Sequence, residues 1–251
     1  MAVHRLDTVD STNEHALRAL AEGNATHGDV FLARRQIAGR GTRGRAWSSP
    51  DGGVYLSMVL VTEDLPGPGL WTIAGGLAAL DVARACEVAA ALDWPNDLVV
   101  VPPHGPPRKL GGVLAESRDI DPANPPHGFV LGMGLNVTPG ALTPELQRER
   151  SVTCIAAEGS ARAVDETADL TLEALHARVH QALTAPARLH GDFFAACLQA
   201  GEEVAVEVGR ETHHGRFEAL DLERGIGLRA PGGDVAWHSL AHVRSMVAQA
   251  R

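Results

Sequence analysis

Residues 39–49 read GRGTRGRAWSS, with three glycines and three arginines in the first seven positions. Three like charges this close repel one another unless an anion lies among them. Glycine lets a backbone approach a ligand closely, and arginine matches phosphate or carboxylate oxygens two at a time. The stretch therefore predicts a loop that binds a phosphorylated molecule, with the flat ring of Trp47 beside it. A solvated basic loop is the alternative.

The same stretch argues against one common fold. Its glycines spell the G-x-G-x-x-G pattern of dinucleotide-binding proteins, which requires a strand before the pattern and a helix directly after it. A proline and two glycines within residues 46–53 break any helix there, and residues 54–61 (VYLSMVLV) are typical of a strand. We therefore expect the loop to connect two strands, at 29–35 and 54–61.

Charge is unevenly distributed over the 251 residues, whose formal net charge is −9. This balance argues against general nucleic-acid binding and confines positive charge to local sites. Lys109 is the only lysine among 22 lysine and arginine residues. Because arginine cannot replace a compact ammonium group whose pKa is adjustable, this position is predicted to be functional. The alternative is that Lys109 has no special role and was retained by chance in a sequence whose composition favours arginine.

Cysteine usage and hydropathy indicate the compartment. Three widely spaced cysteines, Cys86, Cys154 and Cys197, form no C-x-x-C pair, so neither a disulfide framework nor structural zinc is expected. No apolar run reaches membrane-spanning length, and the first residues lack a signal-peptide core. We expect a soluble, cytoplasmic protein.

Hydrophobic periodicity divides the chain at about residue 200. The pattern predicts helices over 11–22 and 70–92, two helices between 165 and 199, and strands at 29–35, 54–61, 98–101, 110–116 and 128–133, the last ending in a tight turn at 132–137. Short strands follow at 204–208, 215–222, 227–230, 234–238 and 243–247. We expect an α+β domain with a mixed sheet over residues 1–199 and a small β-barrel over residues 200–251.

Five motifs, in their order and spacing, resemble those of biotin protein ligases, the enzymes that join biotin to a lysine of an acceptor domain. They are DSTN at 10–13, GRGTRGRAWSS at 39–49, WPND at 94–97, KLGGVLAE at 109–116 and GMGLNV at 132–137. The resemblance implies a catalytic domain of the biotin/lipoate ligase type with a C-terminal SH3-like barrel. It indicates the short form, because the catalytic domain starts at about residue 4 and leaves no room for an N-terminal DNA-binding domain.

The resemblance implies a reaction in two steps. Biotin attacks ATP to give biotinyl-5′-AMP and pyrophosphate, and a lysine of a biotin carboxyl carrier domain of a carboxylase then takes the biotinyl group. Arg40 and Lys109 are the candidates that neutralise the two approaching anions. Asp97 is the candidate that orients or deprotonates the incoming lysine. The triphosphate implies Mg²⁺, whose ligands no motif locates.

The same resemblance assigns the binding residues. Those for biotin are Ser11, Thr12, Asn13, Gln36, Arg40, Gly41, Thr42 and Lys109. Those for ATP and the adenylate are Arg43, Arg45, Trp47, Asn96, Leu135 and Asn136. Helix capping for Ser11, and turn formation for Asn96 and Asp97, are the alternatives.

Two positions depart from the family pattern. Thr42 stands where relatives often carry another arginine, so one cation is missing. Asp93 stands where the family usually has lysine, and this reversal of charge should weaken nucleotide binding unless Asp93 points away or helps to hold the metal. Because the other motifs are intact, we expect activity to be retained.

Two other functions are open at this point. Lipoate and octanoate ligases or transferases share the fold, and both acids are apolar and joined to lysine; the motifs at 39–49 and 109–116 favour biotin. A biotin-responsive DNA-binding repressor is the alternative from another class, and the net charge of −9 argues against it. The sequence also leaves open a homodimer, paired through the strand at 54–61.

Overall fold

The computed structural model describes residues 2–64, 66, 69–118, 126–221, 223–230 and 232–249. These residues form a seven-stranded mixed sheet with helices on both faces, followed by a separate five-stranded antiparallel sheet. The predicted α+β fold with a mixed sheet is confirmed.

The strands of the first sheet are β1 (Val3–Val9), β2 (Val30–Gln36), β3 (Gly53–Thr62), β4 (Ala91–Asp93), β5 (Asp97–Val100), β6 (Arg108–Glu116) and β7 (His127–Asn136). Their order is β1-β2-β3-β7-β6-β5-β4. β1 and β2 are parallel, and all other neighbours are antiparallel. β3 is hydrogen-bonded to β2 on one side and to β7 on the other, so residues 54–61 offer no free strand edge for pairing with a second subunit.

The helices are α1 (Thr12–Ala21), α2 (Leu70–Ala85), α3 (Pro144–Glu149), α4 (Val164–Thr184) and α5 (Pro186–Ala196). Successive strand residues point to opposite faces of the sheet, so the sheet has a separate apolar cluster on each face. Phe31 packs with α1 on one face, whereas its neighbours Val30 and Leu32 join the larger cluster that holds α2. α1 therefore covers one face of the sheet, and α2 the other.

The second sheet contains β8 (Glu203–Val208), β9 (Glu211–Asp221), β10 (Gly225–Arg229), β11 (Val235–His238) and β12 (Val243–Ala248). Its order is β11-β10-β9-β8-β12. Within the described residues the edge strands β11 and β12 do not pair with each other, so the sheet is open and the expected closed barrel is not formed. Val204, Val206 and Phe217 belong to the same apolar cluster as α2, so the two sheets share one core.

Several boundaries differ from the sequence-based expectations. α2 ends at Ala85 instead of continuing to residue 92, and Glu87 takes a left-handed backbone conformation with φ of 60°. Residues 91–93 then form β4, which pairs with β5. β7 continues to Asn136 instead of turning after residue 133. β1 and α3 have no counterpart among the expected elements.

The described part of the chain contains no helix with both the length and the apolarity needed to cross a bilayer. Cys86, Cys154 and Cys197 are buried and free.

Candidate functional site

The N-terminus of α1 brings three polar residues of the first motif together. Ser11 is the N-cap and its hydroxyl accepts a hydrogen bond from the backbone N–H of Glu14, which satisfies one of the helix's free donors. Ser11 also lines a cavity, together with Thr12 and Asn13. The capping role and the binding role are therefore compatible.

Thr12, Asn13 and Gln36, here called the cavity floor, are held by a hydrogen-bond network. The oxygen of the Gln36 amide accepts from the N–H (2.7 Å) and the hydroxyl (3.1 Å) of Thr12. The Gln36 amide nitrogen donates to Ser49 Oγ at 2.7 Å. Ser57 Oγ lies 2.8 Å from Thr12 Oγ1 and 2.6 Å from Asn13 Oδ1. Such a network holds its side chains in single orientations because each buried polar group needs its partner.

The arginine- and glycine-rich loop folds back on itself. Gly41 N–H donates to the carbonyl of Arg45 at 2.8 Å, and Trp47 N–H donates to the carbonyl of Gly39 at 2.9 Å. Arg43 takes a φ of 59°, which is uncommon for a residue with a side chain. Local hydrogen bonds therefore hold the backbone of the loop.

The three loop arginines point in different directions. Arg40 donates to Glu14 at 2.6 Å and to Glu116 at 2.7 Å. Arg45 donates to the carbonyl and the hydroxyl of Thr42. Arg43 donates to the backbone carbonyl of Arg244 in the second sheet.

Lys109 lies on β6 with its side chain 13% exposed. Its Nζ is 2.5 Å from Asp97 Oδ1 and 5.0 Å from the centre of the Trp47 ring. Burial lowers the pKa of Lys109, and the carboxylate of Asp97 raises it in opposition. The ammonium is thus held by one ion pair and one aromatic face.

Trp47 packs flat against β7 and β6 because glycines leave room for its ring. A Cβ on Gly134 would lie 2.6 Å from the indole nitrogen, and one on Gly112 would lie 3.2 Å from the ring. The two glycines are cross-strand partners. Close approach of ring and backbone therefore explains one glycine in each of the two motifs.

Trp94, Pro95 and Asn96 form the turn between β4 and β5, with a cis peptide bond before Pro95, and Asp97 is the first residue of β5. Asp93 and Asp97 are direct cross-strand partners, yet their carboxylates bind different groups. Asp97 pairs with Lys109, whereas Asp93 accepts from the Gln199 amide at 2.5 Å. Asp93 lines neither of the two cavities that meet at Lys109.

Two adjoining cavities meet at Trp47, Lys109 and Arg150. The first, about 550 Å³ in volume, is lined by all the residues predicted to bind biotin, namely Ser11, Thr12, Asn13, Gln36, Arg40, Gly41, Thr42 and Lys109. The second, about 1500 Å³, runs from residues 46–50 to α3 and Arg150. Both volumes include space that is open to solvent.

The residues predicted to bind the adenylate are less closely grouped. Trp47 and Asn136 line the second cavity, whereas Arg45 and Asn96 line the first. Arg43 and Leu135 line neither, and Leu135 is fully buried in the core. The Asn136 amide donates to the carbonyl of Thr153 at 3.0 Å, and its buried Oδ1 has no hydrogen-bond partner among the described residues.

Sequence reasoning missed three residues at the site. Ser57 lies inside β3, where its hydroxyl holds Thr12 and Asn13. Glu116 ends the fourth motif and binds Asn13 and Arg40. Arg150 lies at the junction of the cavities, after a helix that was not expected. The signal for Ser57 was a polar residue in the apolar run 54–61, and that for Glu116 was its place in the fourth motif, whereas Arg150 lies in no motif.

Comparisons with known proteins identify relatives of this chain. Residues 6–136 match the profile of the Biotin/lipoate A/B protein ligase family. The biotin–[acetyl-CoA-carboxylase] ligase of Paracoccus denitrificans is 33% identical over 236 residues, which are 91% of this chain and 94% of that protein. The protein of the same name from Mycobacterium tuberculosis is 35% identical over 205 residues, 79% of this chain and 71% of that protein.

A solved structure gives the same answer for the fold. The biotin protein ligase from Aquifex aeolicus in complex with biotin and ATP superposes with a TM-score of 0.78 over 99% of both chains, at 24% identity. With a matched profile over half of the sequence and relatives above 30% identity, this chain belongs to the biotin/lipoate A/B protein ligase family.

Proposed function

We propose that the protein is an ATP-dependent ligase that activates biotin as biotinyl-5′-AMP and transfers the biotinyl group to a lysine of a biotin carboxyl carrier domain. The names of the relatives from Paracoccus denitrificans and Mycobacterium tuberculosis support this reaction. The single observation that carries the proposal is the position of Lys109, the only lysine of the chain, where the two cavities meet.

In the first step, a biotin carboxylate oxygen attacks the α-phosphorus of ATP and pyrophosphate leaves. Both reactants are anions, so their approach requires a fixed positive charge at the point of contact. Lys109 and Arg150 line both cavities, and Arg45 lines the first. An acid in the first cavity and a nucleotide in the second would therefore meet beside these cations.

The second cavity suits a nucleotide base. Trp47 offers a ring for stacking, and the unpartnered Asn136 Oδ1 can accept a hydrogen bond from the amino group of an adenine. Placing the adenine here leaves the first cavity to the acid.

Magnesium is expected with the triphosphate, which it neutralises when bound. Mg²⁺ in nucleotide sites is usually held by substrate phosphates, water and one or two carboxylates. Within the described residues no group of three or more His, Cys, Asp or Glu side chains converges. Glu145 and Glu149 of α3 line the second cavity and are the carboxylates that would complete its coordination.

In the second step, the amine of the acceptor lysine attacks the biotinyl carbonyl carbon and AMP leaves. The amine must first lose a proton, and Asp97 is the carboxylate that we assign to orienting it or accepting that proton. Asp97 also holds Lys109 at 2.5 Å, so one group serves the cation of the first step and the amine of the second.

The chemistry of the cavity floor favours biotin over lipoate or octanoate. Thr12, Asn13 and Gln36 present hydroxyl and amide groups to the first cavity. The ureido ring of biotin both donates and accepts hydrogen bonds, whereas the far end of an octanoyl or lipoyl chain does neither. Burying them against an apolar chain would leave their remaining hydrogen-bond donors and acceptors unpaired, which is unfavourable.

Three further assignments belong to this proposal. We divide the chain into a catalytic domain of residues 1–199 and a C-terminal domain of residues 200–251. We assign the protein to the cytoplasm, where free cysteines such as Cys86, Cys154 and Cys197 are stable. We assign no nucleic-acid partner, in keeping with the net charge of −9.

One experiment tests the reaction. The protein is incubated with Mg-ATP, a biotinyl acceptor domain and either biotin, lipoate or octanoate, and the acceptor is weighed by mass spectrometry. We expect the mass of one biotinyl group on the acceptor, and no product with Lys109→Gln, which removes the charge and leaves a polar side chain that is one atom shorter. Labelling by lipoate or octanoate without labelling by biotin would reverse the assignment.

A further inference from the structure

Glu116 connects two parts of the site that are distant in sequence. It is the last residue of β6, the strand that also carries Lys109, and its side chain is 18% exposed. Its Oε2 accepts from the Asn13 amide at 2.9 Å, and its Oε1 accepts from Arg40 at 2.7 Å. One carboxylate therefore holds both a residue of the cavity floor and a residue of the loop.

The contacts with Glu116 and with the Leu114 carbonyl together decide which atom Asn13 turns toward the floor network. A carboxylate only accepts hydrogen bonds, so it must face the NH₂ group of the amide. That NH₂ group also donates to the carbonyl of Leu114 at 3.2 Å, which uses both of its hydrogens. The amide oxygen then faces Ser57 at 2.6 Å and keeps a free lone pair. Asn13 can thus offer a ligand only an acceptor, which suits the N–H of a ureido ring.

The Arg40 guanidinium joins Glu116 to a second carboxylate, that of Glu14. Arg40 binds Glu116 with one terminal nitrogen and Glu14 with the other, at 2.6 Å. Glu14 is itself bound by Arg118, and this hydrogen bond lowers the pKa of Glu14. Glu14 therefore touches the same guanidinium as Glu116 but makes no contact with Asn13 among the described hydrogen bonds.

We propose that Glu116 is a positioning residue for biotin, because it orients the Asn13 amide and links the cavity floor to Arg40. The inference rests on the proposed function, since it takes the first cavity as the place where biotin binds. It predicts that Glu116 acts on biotin binding through Asn13, in a way that Glu14 does not.

A double-mutant cycle tests this link. Glu116→Gln and Glu14→Gln are each made alone and together with Asn13→Ala, and KM for biotin and kcat are measured by pyrophosphate release. We expect Glu116→Gln to raise KM for biotin by about tenfold, the loss of one charge-assisted hydrogen bond, and to change kcat less. In the Asn13→Ala background the same substitution should raise KM by less than about threefold. Glu14→Gln should change KM by the same factor in both backgrounds.

Each outcome supports or overturns the proposal. If Glu116→Gln raises KM by the same factor with and without Asn13, Glu116 does not act through Asn13 and the proposal fails while the proposed function stands. If the wild-type protein forms no biotinyl-AMP, both fail. If thermal unfolding shows that Glu116→Gln is not folded, Glu116→Asp replaces it in the cycle. The shorter carboxylate keeps the charge but retracts from its partners, and the same dependence on Asn13 is expected.

Discussion

Lys109 keeps its ammonium in surroundings that oppose the charge. Burial is the largest influence on its pKa and lowers it, and the nearby Arg150 and Arg45 act in the same direction. Asp97 opposes all three through its charge and its hydrogen bond. The protonated form that binds anions therefore depends on Asp97.

Replacing Asp97 by Asn should lower the alkaline limit of the reaction, which is the pH above which its rate declines. Without the carboxylate, nothing named above raises the pKa of Lys109, so its pKa falls and the ammonium loses its proton at a lower pH. We expect the rate of biotin-dependent pyrophosphate release to decline at a lower pH in Asp97→Asn than in the wild type. A series from about pH 7 to about pH 10 measures this, since it spans the range below the usual pKa of lysine.

Asp93→Asn provides the matched control. Asp93 faces Asp97 across the same hairpin but binds Gln199 instead of Lys109. The alkaline limit of this variant should coincide with that of the wild type. Equal shifts in the two variants would mean that the effect arises from the hairpin and not from the ion pair.

The position of Asp93 also predicts what restoring lysine there would do. Asp93 accepts from Gln199, whose amide oxygen in turn accepts from the N–H of Trp94. Because Asp93 lines neither cavity, we expect Asp93→Lys to leave KM for ATP within about twofold of the wild type. The lost hydrogen bond should lower the free energy of unfolding by about 1–3 kcal/mol, measured by urea denaturation. A tenfold lower KM for ATP would show instead that residue 93 reaches the nucleotide.

Single residues of the site were predictable where a motif carried them, and not where a contact depends on sheet register. Asn13 and Lys109 stand in recognisable motifs and line one cavity. The bond between Asn13 and Glu116 joins positions 103 apart, and it needs Gly132, since a Cβ there would overlap the Asn13 side chain. The spacing of residues along the sequence does not predict that contact.

At the level of elements, the glycines of β7 explain both a wrong boundary and a functional surface. The glycine-rich end of this strand suggested a tight turn, yet it continues in register with β3 and β6 to Leu135 and Asn136. Its glycines make room for side chains that cross the strand. In the same way, the alanine-rich stretch after Ala85 has high helix propensity, but residues 91–93 pair with β5 because tertiary contacts outweigh local preference.

Gly134→Ala tests the close packing of Trp47 on β7. The new methyl group would lie 2.6 Å from the indole. Because the indole is rigid and has no flexible end, the whole ring must move away from the strand. We expect KM for ATP to rise by about tenfold or more, if about 1.4 kcal/mol of stacking is lost. The measurement is pyrophosphate release at varied ATP.

Gly128→Ala is the control on the same strand. Its methyl group would also lie 2.6 Å from a neighbour, the end of the Leu20 side chain, which is flexible and lies away from both cavities. KM for ATP should stay within about twofold of the wild type, because the neighbour can shift at small cost. If both alanines raise KM equally, strain in β7 and not Trp47 is responsible.

At the level of the whole molecule, the two sheets are joined by a shared apolar core and by the loop at the site. Phe217 of β9 is fully buried and its ring lies 6.1 Å from that of Trp94 and 5.0 Å from that of Phe194. Arg43 of the loop donates to the carbonyl of Arg244 on β12. The sequence located most strands of both sheets, but it did not identify the residues that join them into one core, since such contacts are made between residues far apart in the chain.

Phe217→Ala tests whether the second sheet unfolds with the first. Removing a buried aromatic ring should lower the free energy of unfolding by about 3–5 kcal/mol. Phe217 packs in the cluster that holds α2. We therefore expect a single urea unfolding transition, monitored both by tryptophan fluorescence and by circular dichroism, whose midpoint moves to a lower urea concentration with both probes. Val247→Ala, at a residue 62% exposed on β12, should change the free energy of unfolding by less than about 1 kcal/mol. Two transitions, of which only the smaller responds to Phe217→Ala, would mean that residues 200–251 are stable independently of the catalytic domain.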